Sequence, residues 1–524
     1  MKPEELQNAI GDIGDDMIAA ANEKKKVKGR GNVRAAFSAA VAACILLTVL
    51  LMPWNQIFPE KNILGNGEDT TAADTTDKAE DTTAADTTED TKPPEQYVPQ
   101  NEYKGARALS LASYPVQERF DVLSGDYDPE EYDRYYEWIR ESRERYEGYK
   151  KEIGDISRFT DAGVREFLGG ADGKNLAFSP LNVYMALGIL AESCEGESRD
   201  QILSLLGEGD MESLRKNAKA LWIGNYRDDG IVTSLLGAAM WLDDTVAARP
   251  DLARIVAENY YASTYRGDMG TELFDSAVKA WLNDQTKGLL SEYTEGFKTT
   301  RETLMTVATT VYFKAGWNEK FSKESTKEDI FRADGGDVTC EFMHDTGNAR
   351  YYEGENFSAT SKSFRDGGDM WFILPDEGIE AESLFSDEEA LQFINGKGRE
   401  GFGEDIEDYR YLHLSVPKFD VGGTVDLEKG LRELGVSDVF DLNRADFSPL
   451  TGDEDTEVCV TDATHSARVR IDEEGCEAAA ITVFLAGTGG MPSEIIDFKL
   501  DRPFIFVISS DVDLPLFIGI VNNP

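Results

Sequence analysis

Three histidines, His344, His413 and His465, are the chain's whole supply of imidazole. Its thiols are five: Cys44, Cys194, Cys340, Cys459 and Cys476. So few histidines exclude a multi-histidine metal centre. An odd number of cysteines without a CxxC pair points to neither a zinc site nor a disulfide framework. Cys194, Cys340 and Cys459 read as buried thiols acting as small hydrophobes. A Ser-His-Asp triad assembles in space, so spacing alone leaves it open as a third-ranked reading using His413 or His465. Both lie in alternating runs, "YLHLSVPKF" and "THSARVRI", that predict strands, where a hydrogen-bonded sheet histidine is the ordinary outcome. No GxSxG elbow, HExxH, GxxxxGK[ST] or strand-GxGxxG-helix signature occurs, and no metal or cofactor is implied.

The stretch "EEGCEAAAITVFLAGTGGMPSE", Glu473 to Glu494, carries a different chemistry. Its first half, Cys476 to Leu485, is made of small and β-branched residues suited to a strand buried between two others. Its second half, Ala486 to Met491, is glycine-rich and suits an exposed loop. Along a strand, Cys476, Ala478, Ala480 and Thr482 would face one side and Glu477, Ala479, Ile481 and Val483 the other. The first set is small throughout, which matters because overpacking a core costs about 1–3 kcal/mol. Gly475 supplies freedom for the chain to change direction. No Lys or Arg lies between Cys476 and Glu494, so the loop offers no anchor to an acidic specificity pocket.

The chain that must position this segment has 524 residues, 41% hydrophobic, enough for one large domain with appendages. Its 99 acidic and 53 basic residues leave a net charge of -46, which repels nucleic acid and anionic membrane surfaces and chiefly serves solubility. Residues 1–34 form a cytoplasmic stub. Residues 35–54, "AAFSAAVAACILLTVLLMPW", are an apolar run nearly long enough to cross a bilayer. Lys24, Lys25, Lys26, Lys28, Arg30 and Arg34 precede it, which places everything after Trp54 outside. "VAAC" at Val41 to Cys44 also resembles a lipoprotein processing box, but the apolar run continues beyond Cys44, so an uncleaved transmembrane anchor is expected. Residues 55–100 are a linker in which EDTTAADTT occurs at Glu68 and again at Glu80, too polar and too charged to build a core. Residues 101–154 form an extension whose stretch Pro129 to Asp155 predicts an exposed helix with one aromatic face. From Asp155 to Pro524 helical windows come first and strand-like runs dominate the end, which predicts an α+β fold.

Within that last region "NLAFSPLNVYMALGILAESCEGESRDQI", Asn175 to Ile202, resembles the serpin family, and further blocks follow in family order. They are "WLNDQTKGLL" at Trp281, "VYFKAGWNEKF" at Val311, "VPKFDV" at Val416, "LRELGVSDVF" at Leu431, "ADFSPL" at Ala445, "IDEEGCEAAA" at Ile471, "DRPFIFVI" at Asp501 and "PLFIGIVNNP" at Pro515. The resemblance implies a large central β-sheet, smaller sheets, an N-terminal helical cluster and an exposed reactive-centre loop. It also answers why one segment is written for two states. In inhibitory members the loop after the "EEG" turn is offered to a protease, and after cleavage its first half inserts as a new central strand.

What the resemblance implies residue by residue is a hinge at Glu473, Gly475, Cys476, Ala478, Ala479 and Ala480. The shutter beneath the sheet centre falls on Ser179, Asn182, Thr309 and His465, and Trp317 lies under the point where insertion begins. Asn182 and Thr309 stand where the family usually has serine and asparagine, as though an amide and a hydroxyl had changed sides. Cys476 departs from the usual threonine or serine, and an accessible thiol there would be open to oxidation. Counting with the family's common loop length puts the cleaved bond between Gly489 and Gly490, with Thr488 and Met491 as alternatives. The implied partner is a target protease, elastase-like or subtilisin-like, with papain-like cysteine proteases also compatible. The protein would be an inhibitor and not an enzyme; the alternative is a non-inhibitory surface binding module on the same fold. The anchor, basic flank and low-complexity linker resemble a bacterial envelope protein, with the C-terminal domain extracellular.

Overall fold

The computed structural model describes residues 97–120, 129–249, 251–399, 409–452, 458–461, 463–476 and 495–524. The apolar run 35–54 and the Thr/Ala/Asp linker up to residue 96 lie outside the described residues. Among the described residues no helix is long and apolar enough to cross a membrane.

Among the described residues two nine-stranded sheets dominate. The first contains β1 (Glu102–Tyr103), β2 (Ala106–Ser110), β4 (Arg227–Asp228), β5 (Val232–Asp243), β6 (Ala262–Gly267), β7 (Met305–Gly316), β13 (Phe419–Asp426), β14 (Thr464–Ile471) and β15 (Gly475–Cys476). Its order is β1-β2-β6-β5-β7-β15-β14-β13, with β4 paired to β5 outside that path. The second contains β3 (Leu176–Phe178), β8 (Lys327–Ala333), β9 (Gly336–Glu353), β10 (Phe357–Ser363), β11 (Asp369–Pro375), β12 (Tyr409–Pro417), β16 (Ile496–Lys499), β17 (Phe504–Ser509) and β18 (Pro515–Val521). Its order is β16-β12-β9-β10-β11-β17-β18-β3, with β8 paired to β9. The longer helices fall mostly before β7 and the strands mostly after it, the α+β arrangement expected.

The first sheet is buried on both faces, and its sequence says why. Strand β5 reads "VTSLLGAAMWLD", an almost continuous apolar run with ten of its residues buried, rather than an alternating one. One face joins the main core. The other packs under the helix Glu272–Gln285, where Trp241 stacks on Tyr265 at 4.5 Å and meets Trp281 edge-on at 6.2 Å.

Residues 97–120 and 129–152 belong to this body. Strand β2 pairs antiparallel with β6 and so extends the edge of the first sheet. Tyr97, assigned above to the linker, is instead buried, and its N–H donates to Asp228 Oδ2 at 3.1 Å. An aromatic ring with a core to enter is folded chain, whatever the composition beside it. The amino-terminal helix Pro129–Glu152 buries Tyr135, Trp138 and Ser142 and keeps its charges outward, as its aromatic face predicts. Trp138 covers the guanidinium of Arg227 at 5.1 Å, and Tyr135 Oη hydrogen bonds to Asp366.

Candidate functional site

Among the described residues, β7 and β14 at the centre of the first sheet are joined only through β15, and the interval between them is called the slot below. Strand β7 is paired along its whole length with β5 on one side, from Val232↔Ala315 to Leu242↔Met305, and β14 is paired with β13 on the other. Among the described residues only the two of β15 lie between β7 and β14, with Gly475 opposite Gly316, Cys476 opposite Ala315, and Cys476 also opposite Ile471. Below that point no described strand joins the two.

The start of β15 is fixed by a tight turn. Asp472 Oδ1 accepts from the N–H of Glu474 at 2.8 Å and of Gly475 at 3.3 Å. A Cβ on Gly475 would stand 2.3 Å from Ala315 O and 2.7 Å from Gly316 Cα, at a φ of +157°, so the glycine serves close approach of two backbones as well as direction change. Trp317, at the end of β7, is fully buried and stacks on Phe364 at 4.8 Å. Its Nε1–H donates to Asp472 O and its backbone N–H to Glu474 O, both at 2.9 Å. Trp317 therefore holds the point where β15 enters.

Lysines surround the same turn. Glu473 is buried; its Oε1 accepts from Lys418 Nζ at 2.8 Å and from Thr326 Oγ1 at 2.7 Å. Burial pushes the Glu473 pKa up, but these hydrogen bonds outweigh it and hold the carboxyl below its ordinary range. Glu474 is held down in the same direction by Lys320 at 2.7 Å and Lys323 at 2.8 Å. None of these four partners was singled out from the sequence, although Lys320 and Lys418 sit inside quoted blocks; nothing in a linear string says which carboxylate a lysine will meet.

Beneath the slot the helix Pro180–Ser193 begins. Its sequence fixes that start, since Ser179 is the N-cap, accepting from Asn182 N at 3.4 Å, and Pro180 occupies the first turn, where no N–H is needed. This start touches both lips. The backbone N–H of Ser179 donates to Nε2 of His465 in β14 at 3.1 Å, and Thr309 Oγ1 of β7 hydrogen bonds to Asn182 Oδ1. Asn182 and Thr309 thus do pair after their exchange. His465 does not join them; its partner is the Ser179 backbone. Burial, with no charge beside it, pushes the His465 pKa down to about 4.

Cys476 is 4% exposed, which corrects the expectation of an accessible thiol: β7 and β14 flank it on both sides. Cys194 is buried as expected, whereas Cys340 and Cys459 are only partly so; none of the four forms a disulfide. Ala478, Ala479, Ala480, Thr488, Gly489, Gly490 and Met491 lie outside the described residues. The description resumes at Ile495, and β16 pairs parallel with β12, so β15 belongs to the first sheet and the next described strand, β16, to the second.

The hydrolytic reading finds little geometry. His413 Nδ1 lies 3.1 Å from Asp497 Oδ1 on the surface, and among the described residues no hydroxyl or thiol side chain hydrogen bonds to His413 or His465. His344, which sequence reasoning passed over, does meet Ser415 Oγ at 2.8 Å, without a described carboxylate hydrogen-bonded to its ring. Among the described residues no cluster of His, Cys, Asp and Glu could hold a metal ion.

A family model described as serpin (serine protease inhibitor) matches residues 156–524. The chain is similar to Serpin-Z2A of Triticum aestivum, 27% identical over 373 residues that cover 67% of this chain and 90% of that protein. It is similar also to the plasma serine protease inhibitor of Mus musculus, 28% identical over 372 residues, 69% of this chain and 87% of the mouse protein. Among solved structures, the thermophilic serpin tengpin in the native state covers 80% of this chain and 100% of its own, with a TM-score of 0.64 and 24% identity. The match runs from the helices through the slot to the last strand, and the fold agrees with it: the chain belongs to the serpin family.

Proposed function

We propose that the protein inhibits a protease as a suicide substrate. The attacking enzyme's nucleophile adds to the Gly489 carbonyl, the amine of Gly490 leaves, and the protease remains joined as an acyl-enzyme on Gly489. Residues 477–488 then fill the slot between β7 and β14, dragging the joined protease and distorting it before water can release it. The single observation that carries this reading is the position of β15, already paired to both lips at Gly475 and Cys476 while the strands below it have no described partner between them. Glu473, Gly475, Cys476 and the three alanines act as the hinge. Ser179, Asn182, Thr309 and His465 act as the shutter under the slot, and Trp317 supports its entrance. The energy is native-state strain, held kinetically.

The target class follows from the loop, whose glycines and lack of Lys or Arg suit elastase-like or subtilisin-like enzymes. The apolar run 35–54 and its basic flank support a placement outside a membrane, anchored by that run. To test the mechanism, the full chain is mixed with an elastase-like protease and resolved on denaturing gels with intact-mass analysis. A complex that survives denaturation, with a released peptide starting at Gly490 or next to it, is the expected result. Clean cleavage without a complex across several protease classes would overturn it and leave a surface binding module on this fold.

A further inference from the structure

Three buried polar atoms line one small cavity between the two sheets. Asn225 ends the helix Met211–Asn225, Ser234 belongs to β5, and Ser510 follows the last residue of β17. These residues are at most 6% exposed. Among the described residues, Asn225 Oδ1, Ser234 Oγ and Ser510 Oγ have no hydrogen-bond partner. Buried polar groups are paired almost without exception, with protein or with ordered water, so three orphans around one space call for a shared partner.

The cavity has about 10 Å³, the space of one water. Its polar lining suits that occupant. Asn225 Nδ2 donates to Leu221 O at 2.7 Å, which fixes the amide so that Oδ1 faces the cavity's side of the bond and needs a donor. A serine hydroxyl both donates and accepts. One water can donate to Asn225 Oδ1 and to one serine oxygen while accepting the O–H of the other serine, three bonds in all, the usual number for a buried water. Asp511 also lines the cavity, but its Oδ2 already accepts from Arg227 Nη1 at 3.2 Å. A metal ion such as calcium would need a larger set of oxygens and would find its one carboxylate already paired. Phe313 and Leu516 close the apolar side, and Tyr146 of the amino-terminal helix forms a further wall.

We propose that this cavity is a binding site for one long-lived water molecule, which bridges Asn225, Ser234 and Ser510 and is closed in by Tyr146. The water is a joint between the two sheets. On one side it holds β5, which pairs with β7 through Ser234↔Phe313; on the other it holds the turn after β17 and the end of the helix Met211–Asn225. Tyr146 precedes the matched family region, 156–524, so the closure of the site belongs to the amino-terminal extension and not to the shared domain. The proposal does not rest on the inhibitory reading.

The test counts long-lived waters on the full chain by oxygen-17 magnetic relaxation dispersion and pairs that count with urea unfolding. Ser234→Ala combined with Ser510→Ala should remove one long-lived water per chain, and Tyr146→Ala should remove the same one by letting it exchange fast. Each single serine variant should raise the unfolded-to-folded ratio about fivefold, the loss of one hydrogen bond. In a dry cavity the sign differs, because deleting a buried, unpaired hydroxyl leaves stability unchanged or raises it. An unchanged water count in the serine double variant or in Tyr146→Ala, or a single serine variant at least as stable as the native chain, would each overturn the assignment. Should the double variant fail to fold, the two single serine variants decide alone.

Discussion

Ser179 donates its backbone N–H to Nε2 of His465 across 3.1 Å, from the first turn of a helix to a strand that borders the slot. An imidazole that accepts at Nε2 is neutral with its proton on Nδ1, and protonation would turn the acceptor into a donor facing a donor. Thr309 and Asn182 tie the opposite lip to the same turn. The helix start is therefore a bracket under both edges, and opening the sheet must loosen at least one of its two attachments.

The bracket is pH-sensitive in a defined direction. His465 has a folded pKa of about 4 against an ordinary 6.5, so the unfolded chain binds the proton more readily. Its contribution is full above about pH 6.5 and is lost as pH falls toward 4, by about 3 kcal/mol at the low end. Urea midpoints measured from pH 7.5 to 4 should fall more steeply for the native chain than for His465→Gln, since other carboxyl titrations are common to both. Parallel curves would show that His465 is not the group responsible.

Gly475 meets the backbone of β7 too closely for any side chain. Gly475→Ala places a Cβ 2.3 Å from Ala315 O, so the hinge must leave its pairing or push the strands apart. We expect a loss of about 1–3 kcal/mol, the usual range for overpacking, and a shift from complex formation toward simple cleavage of the loop. The ratio of complex to cleaved protein on denaturing gels measures the second effect. An unchanged ratio would mean that β15 need not be seated for insertion to begin.

How much of this could be read from residues alone differs by kind of signal. The Phe-Ser-Pro start and the strand histidine were legible because each is a local pattern with a local reason: an N-cap and an alternating run. The pairing of Lys418 with Glu473 was not, because the two lie in separate connections, between β12 and β13 and between β14 and β15, and only the fold brings them to 2.8 Å. Nor was the hairpin β1–β2. Its turn at Lys104 and Gly105, with Gly105 at φ +113°, is too short a signal beside the featureless linker, and what orders it is the waiting edge of β6.

The Lys418–Glu473 pair should behave as a coupled unit. Lys418→Ala leaves Glu473 buried with Thr326 as its remaining side-chain partner, an expected loss of about 1–3 kcal/mol. Because Glu473 then loses the hydrogen bond that holds its pKa down, the variant should tolerate acid relatively better: stability that depends on the ionised carboxylate is present above its unfolded pKa and lost as pH falls through the folded one. Thermal midpoints at pH 7.5 and 4.5 read both effects. The double exchange Lys418→Glu with Glu473→Lys should recover part of the loss if the pair, and not either side chain alone, carries it.

Arg227 tests whether the amino-terminal helix is part of the body or a detachable appendage. Its guanidinium is 2% exposed, lies 2.6 Å from Asp229 and 3.2 Å from Asp511, and is covered by the ring of Trp138. Removing one member of a buried ionic set leaves the others uncompensated at a cost of about 3–5 kcal/mol, so Arg227→Met should destabilise strongly. Trp138→Ala removes the cover and admits water to the same charges. It should therefore cost about 3–5 kcal/mol by lost packing alone, yet weaken the penalty of Arg227→Met when the two are combined, because charges that are already hydrated depend less on one another. Strict additivity of the two substitutions in urea unfolding would mean that the helix lies over the cluster without sealing it.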